Sequence, residues 1–178
     1  MSPPVDAAPD AAPDAAPGAV VLDLDGVLAD TRGRLHHVRA RPRDWDAFFA
    51  EAVADPVHPE GLALATEAAT RGAPVVYLSG RPERTRGATL SWLEQVGAPR
   101  GPLLLRREDD RRPARVVKVA ALRALTARGP VALLVDDDPD VVAAVRAARP
   151  PLAVQVLLAD WQPRDGDLHD AQERRGRT

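Results

Sequence analysis

The sequence predicts an α/β fold, a parallel sheet covered by helices on both faces, and three observations predict it. Five short apolar runs, at 19–24, 74–79, 102–105, 131–136 and 153–159, have the length and continuity of strands buried on both sides. The segments between them have helix length and carry helix caps, the pattern of successive βαβ units. Several of the runs also close on polar residues, and ligands of such sheets collect beyond the carboxyl ends of the strands.

Taken in order, the chain opens with three tandem Asp-Ala-Ala-Pro copies at 6–17, where a proline at every fourth position forbids a regular helix and no residue can build a core. Residues 1–18 are therefore expected to form a disordered tail. The first strand ends in Val21-Leu22-Asp23-Leu24-Asp25-Gly26. A carboxylate among apolar neighbours is costly unless paired or bound to a metal, and Gly26 permits the sharp turn that follows.

The segment from 31 to 72 is longer than one crossover requires. Trp45, Phe48, Phe49 and Val53 share one helical face, and a second helical stretch begins near Pro59. A small helical lid is expected here, with His36, His37 and His58 as solvated lid residues, since their spacing suits no metal site. Trp45 and Phe48 are assigned to the lid core.

The second strand ends in Ser79-Gly80-Arg81, a hydroxyl, a flexible turn and a guanidinium ahead of a helix expected to start at Pro82. Leu90, Leu93 and Val96 give that helix its apolar face, and Gly97 stands where a C-terminal cap belongs. Ser79, Gly80 and Arg81 can cradle an anion, or Ser79 can cap the helix while Arg81 is solvated. Past the third strand, five arginines fall between 106 and 115. They can contact phosphates, or form a solvated loop neutralised by Glu108, Asp109 and Asp110.

Lys118 is the only lysine beside 23 arginines in a sequence with no isoleucine and no asparagine, a composition that suggests a G+C-rich genome. It shares a helical face with Leu122 and Leu125, so its ammonium calls for an anionic partner, and the acidic strand ends can supply one. The fourth strand closes in Asp136-Asp137-Asp138. Asp138-Pro139 fits an N-cap with proline at the first helical position, Asp140 suits the first turn, and Val141, Val145 and Ala148 point inward on a helix that should stop at Pro150-Pro151. Residues 163–178 are polar and expected to fray.

The 178 residues, 45% hydrophobic, suit one domain over 19–162 between two tails. A net charge of -2 excludes global attraction to nucleic acid or membrane, no apolar run can span a bilayer, and the absence of cysteine excludes disulfides and thiolate metal sites. A soluble cytoplasmic protein is expected. The repelling acids at two strand ends call for protons or a divalent cation, and hard oxygen ligands favour magnesium.

The Asp-x-Asp-Gly strand end at 23–26, the Ser79 strand end, Lys118 and the acidic strand end at 136–137 occur in the order that characterises the haloacid dehalogenase-like (HAD) superfamily, which residues 19–160 resemble. The resemblance implies a Rossmannoid three-layer sandwich with a five-stranded parallel sheet of order 5-4-1-2-3. It implies a phosphatase passing through an aspartyl-phosphate, with Asp23 as nucleophile and Asp25 as the acid and later the base. Mg²⁺ would be held by the Asp23 carboxylate, the Asp25 backbone carbonyl and an acid of the Asp136-Asp137 pair, with Asp137 preferred. Ser79 and Lys118 would hold the phosphoryl oxygens.

Within the superfamily, Ser79-Gly80-Arg81 and the spacing of Arg106, Asp110, Arg112 and Val116-Val117-Lys118 resemble the 3′-phosphatase domain of phage-type polynucleotide kinase/phosphatase. That likeness adds Gly80, Arg81, Arg106 and Arg112 as substrate contacts and a 3′-phosphorylated nucleic-acid end as substrate. No Gly-x-x-x-x-Gly-Lys loop occurs, so no kinase half is expected. The runs at 25–30 and 133–140 also resemble 5′(3′)-deoxyribonucleotidases, which makes a nucleotide the alternative substrate. A phosphate-binding module without catalysis is the remaining reading, and the presence of both Asp23 and Asp25 argues against it.

Overall fold

A computed structural model describes residues 17–163. The tail expectations for 1–16 and 164–178 lie outside the described residues. The strands are β1 (Ala19–Leu22), β2 (Val75–Pro82), β3 (Leu103–Arg106), β4 (Val131–Asp136) and β5 (Gln155–Leu158). They form one sheet in the order β3-β2-β1-β4-β5, with every pair parallel. This is the predicted order viewed from the other edge.

Alternation along the strands sorts side chains into two layers. On one face Leu22 and Tyr77 pack with Ala65 and Ala68 of α3 (Pro59–Thr70) and Trp92 and Leu93 of α4 (Arg86–Gln95). On the other, Val21, Val76 and Leu78 meet Leu122 of α5 (Ala114–Thr126) and Val141 and Val145 of α6 (Pro139–Arg146). Asp23 is two residues beyond Val21, and its N–H still bonds the Val135 carbonyl at 3.0 Å. The sheet's own period therefore turns its carboxylate toward the α5 layer, where Lys118 is buried.

The lid is narrower than 31–72. A separate cluster of Leu35, Val38, Phe48 and Phe49, flanked by Trp45, joins α1 (Leu35–Arg39) to α2 (Trp45–Ala50). Helix α3 belongs to the sheet layer, and a Cβ on its Gly61 would lie 2.2 Å from the Val27 carbonyl oxygen, so the helix rests directly on the loop after β1. Val53 is 44% exposed in a short 3-10 turn and does not continue the aromatic face.

Other local expectations also shift. Pro82 does not start a helix: it is extended at the end of β2 and precedes a 3-10 turn over Glu83–Thr85. Leu90 is 45% exposed, and the buried face of α4 is made by Thr89, Trp92 and Leu93. Helix α6 ends at Arg146, before the proline pair, and β5 follows from Gln155. Gly97 takes the left-handed φ of 72° required after α4, and Asp138 caps α6 by accepting the Asp140 N–H.

Candidate active site

The carboxyl ends of β1, β2 and β4 open on one small pocket lined by Asp23, Asp25, Ser79, Gly80, Ala114, Lys118, Asp137 and Asp138. Lys118 Nζ donates to Asp23 Oδ2 at 2.6 Å and to Asp136 Oδ2 at 2.7 Å, with all three groups buried. Asp23 Oδ1 accepts the Leu24 N–H at 2.8 Å, and Asp136 Oδ1 accepts the Asp138 N–H at 3.1 Å. Ligand oxygens of Asp23, Asp136 and Asp137 lie within 4.8 Å of one another.

Asp137 reaches this group across Gly26. A Cβ at Gly26, whose φ is 82°, would stand 2.1 Å from Asp137 Oδ2, so that position needs glycine both for its backbone and for the approach of the carboxylate. Burial, then the carboxylates of Asp23 and Asp136, push Asp137 well above the ordinary carboxyl range. Burial also raises Asp23 to about 7 against the pull of Lys118. Burial opposes the Lys118 ammonium, but Asp136 and Asp23 outweigh it and hold the group charged. Three carboxylates thus share one ammonium. The set fits a hard divalent cation, because further positive charge is what Asp137 lacks.

Asp25 faces a different environment. Its Oδ1 accepts from Arg34 Nη2 at 2.7 Å and from Arg81 Nε and Nη2 at 2.9 and 2.6 Å. Arg34 also forks onto Asp55, at 2.9 Å from Nε and 2.7 Å from Nη2. Burial would raise Asp25, but the two guanidiniums outweigh it and bring the group down to about 2. Arg34 lies with its guanidinium carbon 4.0 Å from the Phe48 ring centroid, which ties the lid to this carboxylate. Trp92 Nε1 donates to the Asp55 carbonyl at 2.9 Å and fixes the segment from below.

Six sequence-predicted residues, Asp23, Asp25, Ser79, Gly80, Lys118 and Asp137, therefore line one pocket, and Asp136 backs it through Lys118. Ser79 Oγ accepts the Arg81 N–H at 3.2 Å, so it shapes the turn as well as lining the pocket. Arg81 is not solvated: it is buried and paired with Asp25. Arg106 and Arg112 stand apart. Arg106 Nη1 closes its own loop on the carbonyls of Asp110 and Arg112, and the exposed Arg112 pairs with Asp110 at 2.6 Å.

Arg34 and Asp55 were missed in the sequence, as no periodicity or motif marks two polar residues 21 apart. The unmet requirement of Asp25 for a cation was the available signal. His58 corrects a second expectation: it is buried with Nε2 3.0 Å from Gln162 Oε1, whereas the half-buried His37 has its Nε2 2.9 Å from Glu51 Oε1.

The model of the polynucleotide kinase PNKP phosphatase domain matches residues 17–161. The chain belongs to this family. Among solved structures, the PNKP-type domain is similar to a chain of the Pnkp1/Rnl/Hen1 complex at 26% identity and a TM-score of 0.68, covering 83% of this chain and 47% of that one. It thus spans about half the length of that relative. A class C acid phosphatase from Bacillus anthracis with tungstate bound shares the fold at 17% identity and a TM-score of 0.61, covering 88% of this chain and 78% of that one. So does the haloacid dehalogenase-like hydrolase SP0104 from Streptococcus pneumoniae, at 13% identity and a TM-score of 0.58 over 88% of this chain and 91% of that one. No curated protein matches the chain. Among the described residues, no helix of this PNKP-type domain is long and apolar enough to cross a membrane.

Proposed function

We propose that this PNKP-type domain is a Mg²⁺-dependent phosphomonoesterase in which Asp23 attacks phosphorus and forms an aspartyl-phosphate, with a 3′-phosphorylated nucleic-acid end as substrate. The observation that carries the reading is the placement of Lys118 between Asp23 and Asp136, with Asp137 close enough to share a cation. Asp23, Asp137 and the Asp25 backbone would hold Mg²⁺, which when bound supplies charge neutralisation for the phosphoryl oxygens.

Lys118 orients the Asp23 carboxylate and opposes the burial that raises it, and its ammonium offers a third N–H to a phosphoryl oxygen. Ser79 and the backbone at Gly80 line the same pocket and suit the remaining oxygens. The Asp23 oxygen forms a bond to phosphorus as the ester oxygen leaves, and water later cleaves the acyl phosphate to inorganic phosphate. Asp25, ionised at rest by Arg34 and Arg81, is ready to take the proton of that water. Its earlier role, protonating the leaving oxygen, requires that Arg81 shift toward the incoming phosphate so that Asp25 can hold a proton.

The polynucleotide substrate rests on the family match and on the likeness to Pnkp1, whose structures include one described as an RNA repair complex. The test is turnover of p-nitrophenyl phosphate, a 3′-phosphorylated oligonucleotide, and 3′- and 5′-mononucleotides, with EDTA and with Mg²⁺ restored. EDTA should abolish activity and Mg²⁺ should return it. Activity that persists in EDTA would end the metal assignment, and preference for the 5′-mononucleotide would move the substrate to the nucleotidase alternative.

A further inference from the structure

The lid carries a second group of metal-binding side chains, and none of the steps above uses it. Ligand atoms of His36 and His37, both on α1, and of Glu51, at the end of α2, lie within 4.8 Å of one another. Spacing along the chain argued against a metal site among the histidines, and the fold still excludes His58, which is buried against Gln162. What spacing could not supply is Glu51, which the return of the chain from α1 to α2 brings to the histidine pair.

The two imidazoles are prepared for a cation in different ways. His36 Nδ1 lies 3.0 Å from the Gly33 carbonyl oxygen. A carbonyl only accepts, so Nδ1 carries the proton and Nε2 keeps its lone pair, the arrangement by which a backbone carbonyl orients a metal-binding histidine. His37 Nε2 is enclosed and lies 2.9 Å from Glu51 Oε1, yet it is aligned with no hydrogen-bond partner. A tetrahedral ion with bonds of about 2.0 Å holds its ligand atoms roughly 3.3 Å apart, so this pair need open by only a few tenths of an ångström to share one. The His36 and His37 rings are packed with centroids 3.9 Å apart, which limits how far either can turn away. Two imidazoles and one carboxylate favour a borderline transition ion over magnesium, the reverse of the all-oxygen set around Asp23.

The position suits a structural ion. Leu35, Val38, Phe48 and Phe49 form a core of the lid's own, and a core so small gains from a staple. His36 and His37 closely follow Arg34, and Glu51 opens the 3-10 turn that leads to Asp55. An ion here would fasten the same two segments that the Arg34–Asp55 fork joins. None of the three ligands lines the acidic pocket.

We propose that His36, His37 and Glu51 bind one ion of the Zn²⁺ class, with water completing its shell, and that the ion staples α1 to the end of α2. The site does not depend on the reading of Asp23.

The test uses Co²⁺ as a spectroscopic stand-in for Zn²⁺, added to the full chain in excess Mg²⁺. The wild type should show a visible d–d band at a one-to-one ratio, and Zn²⁺ should bleach it. His37→Ala and Glu51→Gln should each weaken binding by about 10²-fold or more, since even a residue that only supports a ligand is worth about ten- to a hundredfold. All three residues lie outside the sheet core, so circular dichroism should be unchanged. Asp137→Asn, and His169→Ala in the segment outside the described residues, should keep the band. Zn²⁺ should slow amide exchange over residues 35–54 in the wild type and not in His37→Ala. No band in the wild type, or a band that survives His37→Ala, would overturn the site. A band lost in Asp137→Asn or His169→Ala would move the ion elsewhere, and binding without slower exchange would remove the staple.

Discussion

Two buried charge clusters grow from the same loop after β1, and they are balanced differently. Around Asp25, two carboxylates meet two guanidiniums, with Arg34 forked between Asp25 and Asp55 and Arg81 completing the set. Around Asp23, three carboxylates meet one ammonium. The balanced cluster brings Asp25 down to about 2, whereas the acid-rich one pushes Asp23 up to about 7 and Asp137 well above the ordinary range. One cluster is complete in itself and can serve as a frame. The other is incomplete in its charge, which is the condition for recruiting a cation and a phosphate.

The comparison breaks most visibly in activity. Asp23→Asn keeps the shape of the side chain and removes the proposed nucleophile, so turnover of p-nitrophenyl phosphate should fall by at least about 10³-fold with the circular dichroism spectrum unchanged. Activity near the wild-type level in that variant would remove the assignment. Lys118→Arg keeps the charge but replaces a point donor that fits between Asp23 and Asp136 with a larger planar fork, and about a 10²-fold loss is expected.

In stability the two clusters should respond with opposite signs to the same change, the loss of one carboxylate charge. Asp55→Asn leaves Arg34 and Arg81 with less counter-charge in a dry site and should destabilise by about 3–5 kcal/mol. Asp137→Asn relieves repulsion and should raise the melting temperature of the metal-free protein, while abolishing the rise that Mg²⁺ is expected to give the wild type. Thermal melts of both variants with EDTA and with Mg²⁺ decide the matter. A destabilised metal-free Asp137→Asn would mean that the acid-rich cluster is already satisfied.

The part of this legible in the sequence is the part written in local pattern. The apolar runs announced the parallel sheet, and the acids closing β1 and β4 announced the site, because strand ends place their next residues at a sheet edge by geometry alone. Lys118 was legible from its place on an apolar helical face, which implied a buried partner. Arg34 and Asp55 were not, since their meaning lies in contacts with Asp25 and Arg81 that only the folded chain creates. Arg81 was legible as a candidate, yet its partner was not: the strand end suggested an anion cradle, and the fold turned the guanidinium onto Asp25. The boundary of the lid was missed for a related reason. Helix α3 comes soon after the aromatic segment, and only the folded contacts, Ala65 and Ala68 on Leu22 and Tyr77 and Gly61 against the Val27 carbonyl, show which layer it joins.

The smallest expected effect is a slope against pH, and it tests the imbalance without any substitution in the balanced cluster. A carboxyl whose folded pKa is raised binds more protons in the folded than in the unfolded protein, so its stabilisation is full below the unfolded value and is lost as pH rises through the folded one. For Asp23 the ordinary value is 3.8 and the folded one about 7, and Asp137 is displaced in the same direction. The metal-free protein should therefore lose stability between about pH 4 and 7. Asp25 acts with the opposite sign in a lower window: its contribution is present above 3.8 and lost as pH falls toward 2, so it does not mask the slope. Burial raises Asp55 as well and adds to the decline, which is why Asp137→Asn is the needed control. Mg²⁺ favours the ionised acids and should flatten the curve, and Asp137→Asn should make it shallower in EDTA. Melting temperatures that hold level or climb across this range in EDTA would show that the carboxylates around Lys118 are not short of positive charge, and the case for a cation there would fall with them.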